Sequence, residues 1–285
     1  MLNLCLLLAQ IAAQAESRAA EIRSLSVSIT QGRDEPVSGL AIQEVAVVEN
    51  GVVREITRVE RDARPVNVAV VVDSSAAVET SYRLNIVDAL LGFLAGLPEG
   101  SRYELWTTGD RPTRIFDLGA EGPEAKKALQ RVAPQGGATT LDAIVEAGER
   151  LKKAEGERRA MLVVSALGPE FSGRDRYQVI DRGLGFGLDV FSAVLIEEGT
   201  GADREMRLSL EQVLNELVSK TGGLFERPLS SMGVASALKN IAQDMKGRYR
   251  ISYATLPEIK QRKIEVKVAR PGVRVRVGRS NTDKP

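Results

Sequence analysis

Apolar and polar positions along this chain change period twice, and the changes divide it into three zones. Between residues 22 and 62 the period is two: Leu25-Ser26-Val27-Ser28-Ile29 alternates, and Val45 to Val48 is a short apolar run. A period of two puts one set of side chains on one face of a strand. Asn50-Gly51, between Val48 and Val52-Val53, predicts a tight hairpin turn. Arg64-Pro65 marks the boundary of this zone.

From 66 to 245 continuous apolar runs alternate with helical periodicity. Val66 to Val72 (VNVAVVV) is apolar on both faces, as a central parallel strand requires. Ser81 to Leu97 predicts a helix with Leu84, Val87, Leu90, Leu91 and Leu94 on its inner face, ended by Pro98-Glu99-Gly100. Two strands, Tyr103 to Thr108 and Thr113 to Leu118, follow through Gly109-Asp110. The pattern then predicts a helix at 140–154, a strand at 160–165, a weak helix at 175–183, and a strand at 190–196. A helix at 208–220, a short edge strand at 224–225 and a last helix at 231–246 complete it. Beyond Arg248, strict alternation returns in RYRISY, KIEVKV and VRVRV, with basic side chains opposite the apolar ones. Repeated strand–helix units imply an α/β fold: a doubly wound, mostly parallel sheet flanked by helices, with added β segments at both ends. Ligands of such sheets sit outside the carboxyl ends of the strands, which directs attention to the residues after Val72, Ser165 and Ile196.

Composition narrows the chemistry. The 285 residues include no histidine and one cysteine, Cys5. Histidine-dependent nucleophile systems, imidazole metal sites, internal disulfides and paired-cysteine redox centres are therefore excluded. At the start, Met1 to Ala15 is uncharged, runs apolar from Leu2 to Ala13, and ends in the small-x-small pattern Ala13-Gln14-Ala15. That reads as a signal peptide over 1–15 and an exported, periplasmic or extracellular protein; the other reading is a buried N-terminal helix. Charge is split: Lys246 to Arg279 holds eleven Lys/Arg against two acids, while residues 1–245 hold 27 basic against 35 acidic side chains. An acidic body carries a basic end piece.

After the first central strand comes Asp73-Ser74-Ser75-Ala76-Ala77. With PVSGL and VAVVENGVVREI at 36–56, GGATTLDAI at 136–144, LVVSALG at 162–168, VSKTGG at 218–223 and GRYRISY at 247–253, the layout resembles bacterial von Willebrand factor A domain proteins that carry a β segment before the domain. The resemblance implies a Rossmann-like A domain at 65–246. It also implies an N-terminal β segment at 22–62, basic strands at 247–279 packed with that segment, and a non-enzymatic protein-binding role. It further implies a metal-ion-dependent adhesion site, which takes Asp and two Ser from D-x-S-x-S, a Thr from a second loop and an Asp from a third. This chain supplies Asp73 and Ser75, with Thr139 one residue from the threonine slot; Ala77, Ala138 and Ala166 occupy the other three. Mg²⁺ demands six oxygens near octahedral geometry, so no bound cofactor is expected. A rearranged Mg²⁺ site on Asp73, Ser75 and Thr139, helped by Asp110, Asp142 or Glu170, is the alternative.

Other signals in the chain have plainer readings. Gly183-Leu184-Gly185-Phe186-Gly187 precedes a strand and lacks the P-loop lysine, so it reads as a connection. Gly136-Gly137 before Thr139 opens a helix and reads as an N-cap or an anion cradle. Lys152-Lys153 and Arg158-Arg159 read as a solvated helix end and loop, and Trp106 as packing. Arg248, Arg250, Lys263, Lys267, Arg274 and Arg276 would form one cationic face, attractive to an acidic protein or anionic surface, if their three strands pair. The plainer reading is that they keep an exposed sheet soluble. Nucleic acid is not expected as a partner, since only Tyr249 and Tyr253 are interleaved for stacking. No segment is long enough to make the protein integral to a membrane. An enzyme built on Ser165 or Glu197-Glu198 is the remaining class.

Overall fold

The computed structural model describes residues 21–32, 35–156, 158–197, 204–256 and 262–278. The expected signal peptide at 1–15 lies outside these residues. Strand β6 (Asn67–Val72) is buried along its whole length and lies in the middle of a six-stranded sheet. Its neighbours are β7 (Arg102–Thr107) on one side and β9 (Arg159–Ala166) on the other, both parallel to it. β10 (Val190–Ile196) and the short β11 (Phe225–Glu226) extend the sheet in parallel beyond β9. Only β8 (Thr113–Gly119) runs antiparallel, at the far edge beside β7.

The alternation of β6 determines which helices cover which face. Val68, Val70 and Val72 enter the core formed with α1 (Val87–Ala95), α2 (Gly122–Arg131) and α6 (Val234–Gly247). Ala69 and Val71 enter the opposite core, with α3 (Thr140–Leu151), α4 (Arg176–Leu184) and α5 (Arg204–Thr221). Each fully buried aliphatic side chain contributes roughly 1.5–3 kcal/mol, so these two layers hold the domain together. Gly183 to Gly187 does join a helix to a strand, and Phe186 lies over Gly148 of α3. Among the described residues no helix is long and apolar enough to cross a membrane.

Two smaller sheets form the rest. One has the order β14-β1-β12-β5, from Val273–Val277, Glu21–Gln31, Tyr249–Thr255 and Ile56–Arg61, with β2 (Glu35–Pro36) beside β1. The other is β13-β3-β4, from Ile264–Val268, Val45–Glu49 and Val52–Arg54. Asn50 and Gly51 both take positive φ in the hairpin, as the Asn-Gly pair predicts. Leu25, Val27 and Ile29 meet Val47, Tyr249, Ile251, Tyr253 and Val266 in a third core. N-terminal and C-terminal strands therefore build one β unit.

Three expectations are corrected. The helix expected at 81–97 contains a π-helical stretch, Tyr82–Ile86. A wider turn shifts the helical phase. Tyr82 and Ile86 face inward while Leu84 is 71% exposed. Arg158, read as solvated, is buried beside Asp62 and donates to the Asp62 and Arg64 carbonyls. Helix α2 lies where the pattern predicts no element: Pro123 opens it, but only Ala125 and Leu129 bury an apolar side chain in a charged sequence.

Candidate functional site

The carboxyl end of β6 delivers Asp73 between two loops, one before α3 and one after β9. Its carboxylate is buried and satisfied from within the chain. Oδ1 accepts the backbone N–H of Ser75 at 2.8 Å and the Thr108 hydroxyl at 3.4 Å. Oδ2 accepts the Ala166 N–H at 3.0 Å and the Ser165 hydroxyl at 3.4 Å. Thr139 joins the same cluster, but its hydroxyl donates to the Thr108 carbonyl at 2.7 Å. Ser75 Oγ is buried with no hydrogen-bond partner. Asp73, Ser75 and Thr139 are thus brought together, and Ser75 alone of the three keeps its side-chain oxygen uncommitted.

Backbone hydrogen bonds tie the surrounding loops to one another. Gln135 N donates to Ser74 O, Ala76 N to Gly136 O, and Thr139 N to Thr108 O, at 2.8–3.0 Å. Ala138 pairs with the loop after β9 on both sides: its N–H reaches Pro169 O at 2.9 Å, and its carbonyl accepts Phe171 N–H at 2.7 Å. Ala77 meets the same loop, for a Cβ added at Gly168 would lie 2.7 Å from the Ala77 methyl. Ala77, Ala138 and Ala166 therefore mark contacts where methyl and backbone groups meet.

Of the carboxylates that might enlarge the donor set, Asp142 and Glu170 have another task. Asp142 accepts the Gly173 N–H and pairs with Arg174 at 2.8 Å. Asp110 sits at positive φ in the β7–β8 connection. Glu170 accepts Thr140 N–H at 3.1 Å and the Ser172 hydroxyl at 2.5 Å, and burial pushes its carboxyl above the usual range despite those bonds. It satisfies the first turn of α3, where Gly136-Gly137 had suggested an anion cradle or an N-cap from Thr139. The Thr139 side chain makes no cap bond. Nothing in the local sequence signalled this role, because Glu170 arrives from a loop 30 residues away. No group of three or more acidic or thiol side chains suited to a metal ion occurs among the described residues.

The residues of the enzyme alternative lie apart. A carboxylate does stand beside Ser165, namely Asp73, but both are buried and Ser165 also neighbours Thr140. Glu197 is engaged by Arg227 at 2.6 Å, and Glu198 lies outside the described residues.

The single cationic face is corrected. β12 and β14 both pair with β1 and not with each other, and β13 belongs to the other sheet. Arg250, Arg274 and Arg276 share one face with their cross-strand partners Ser26, Thr30 and Ser28, where Arg276 is drawn to Asp244 at 2.7 Å and Arg250 reaches Ser24. Arg248 is wholly buried and bonds Asp244 at 2.9 Å, Ser26 and the Gly222 carbonyl. Lys263 and Lys267 stand exposed by β13, with Lys263 3.6 Å from Glu265. Alternation gave the strands their polar faces correctly, but it cannot tell a face turned to solvent from one packed on a neighbouring helix.

Residues 68–167, which include Asp73, Ser75, Thr139 and Ala166, match the family model of the von Willebrand factor type A domain. No curated protein matches the chain. Among solved structures, a von Willebrand factor type A protein from Catenulispora acidiphila superposes with a TM-score of 0.55 at 12% identity, covering 90% of this chain and 72% of that one. Proximal thread matrix protein 1 from the mussel byssus superposes at 0.52 with 16% identity, over 76% of this chain and 50% of that one. The same mussel protein with a zinc-occupied adhesion motif gives 0.53 and 16%, over 70% and 49%. This chain spans half the length of the mussel protein. The family match and the superpositions agree on the fold: residues 68–167 are those of a von Willebrand factor type A domain.

Proposed function

We propose that the protein is an exported, non-enzymatic protein-binding module whose strand-end site works without a metal ion. One observation carries the metal-free part. Both Asp73 oxygens are taken by the chain's own donors, and backbone bonds tie together the loops around it. An octahedral Mg²⁺ needs oxygens free to face it, and of Asp73, Ser75 and Thr139 only Ser75 has an uncommitted side-chain oxygen. The interaction role follows from the domain type, and export from the uncharged apolar stretch ending at Ala15.

The test uses protein recovered from the exported fraction, whose first residue is expected to be Glu16. Its melting temperature should stay constant as Mg²⁺ or Mn²⁺ is added to millimolar levels. A clear rise at micromolar metal overturns the reading. The orphaned Ser75 hydroxyl favours a second reading, in which the site rearranges around an ion bound by Asp73, Ser75 and Thr139, as an adhesion motif holds zinc in the mussel protein. The same titration decides between them.

A further inference from the structure

Beside the Asp73 site, a cleft of about 500–600 Å³ opens between α2 and the β7–β8 hairpin. We propose that it binds an acidic segment of a protein partner, with the segment's carboxylate held by Lys127 and Arg131 and an apolar side chain against Ile115, Phe116 and Val132. The proposal rests on the metal-free reading above and names the surface that would serve it.

Three features converge on that ligand chemistry. Lys127 and Arg131 are four residues apart on α2, so both reach the same rim, and both are exposed. Neither has an ion-pair partner among the described residues, whereas nearby Arg114 and Arg150 are both drawn to Asp117. The wall beneath the two cations is apolar, formed by Ile115, Phe116 and Val132. At the floor, Ser74 Oγ accepts the Gly109 N–H at 2.8 Å, which leaves its own proton to donate into the cleft.

The charge balance selects the class of anion. Glu124 stands at the same rim, so two cations face one resident acid. That surplus of one positive charge suits a single carboxylate next to an apolar group and disfavours a phosphate or a polyanion. In a metal-bearing domain the ion receives the partner's acid; here two side chains in the adjoining cleft take that part.

The test is a methyl NMR titration of the full chain with two minimal probes, N-acetylphenylalanine and its uncharged amide, first in EDTA and then in Mg²⁺. Saturable shifts are expected at the methyls of Ile115, Val132 and Ala128, with the acid binding roughly tenfold more tightly than the amide. The surface variant Lys127→Glu/Arg131→Glu should lose the acid's advantage while its remaining spectrum is unchanged. Equal binding of acid and amide, or an unaltered acid affinity in the variant, overturns the proposal. Absence of shifts at these methyls in both buffers also overturns it and leaves the metal-free reading standing. Shifts that appear only with Mg²⁺ and centre on Ala77 and Ala138 overturn the metal-free reading instead.

Discussion

At the carboxyl ends of the parallel strands, the buried carboxylate of Asp73 is held by neutral donors. At the amino ends, where the β unit meets the sheet, buried charges interlock. Arg248 and Arg276 clasp Asp244, while Arg64 and Arg158 flank Asp62, with Asp189 nearby. The contrast inverts what the domain type suggests, because a metal-bearing A domain concentrates its ionic chemistry at the carboxyl ends. Here the strong buried electrostatics belong to the junction between two structural units. Neutral donors can settle a loop in one geometry without an ion. Buried ion pairs often add little net stability over apolar packing, yet each member is costly to leave alone. The junction is thus fixed in orientation, since any other docking would strand several charges.

The largest expected effect tests this contrast directly. Arg248→Met should destabilise the protein by about 3–5 kcal/mol in urea unfolding, because it removes a fully buried guanidinium from Asp244, Ser26 and the Gly222 carbonyl. Asp73→Asn keeps the shape and half of the acceptors, and should cost about 1–3 kcal/mol. Equal losses would dissolve the distinction between a charge-locked junction and a neutral site.

A second substitution sharpens the comparison at the other end. Ala166→Asp would set a new carboxylate against Asp73, whose Oδ2 now accepts the residue 166 N–H. With no cation present, two close acids in a buried site should lower stability by about 2–4 kcal/mol. Micromolar Mn²⁺ should return part of that loss in the variant and leave the parent chain unmoved. If Mn²⁺ does nothing to the variant, the bonded loops and not the missing ligands separate this site from a metal-binding one.

Much of this arrangement is legible in the sequence, and the failures share a cause. Val66 to Val72 reads as a buried central strand because apolar residues fill both faces, and the Asn-Gly hairpin follows from local backbone preference. Asp73, Ser75 and Thr139 are placed together by motif spacing. What escapes are roles assigned by distant neighbours. Glu170 caps α3 from another loop, and Arg248 and Arg158 look like solvated charges until α6 and the Asp62 segment close over them. Leu84 breaks the helical pattern for a local reason, a π-helical turn that periodicity does not announce. Helix α2 is the reverse case, since its apolar stripe is too narrow to stand out among charges.

A pH dependence centred on the junction is also expected. Burial raises the Asp189 carboxyl to about 6, although it accepts the Arg159 N–H at 2.8 Å and lies near Arg158, Arg64 and Arg248. An unfolded aspartate titrates near 4, so between about pH 4 and 6 the folded chain holds a proton that the unfolded chain has released. Stability should therefore fall as pH rises through that window, by roughly 2–3 kcal/mol. Asp62 acts in the opposite sense: burial would raise it, but Arg64 and Arg158 outweigh burial and hold it below the ordinary value. Its contribution is present above about pH 4 and is lost as pH falls further. The urea midpoint should accordingly peak near pH 4 and decline on both sides. Asp189→Asn keeps an acceptor for the Arg159 N–H and should flatten most of the upper limb, the remainder coming from Glu170, which burial also raises. If the parent profile is already level from pH 4 to 6, Asp189 is not an uncompensated buried acid, and the amino-end cluster is a set of closed ion pairs with no strained member.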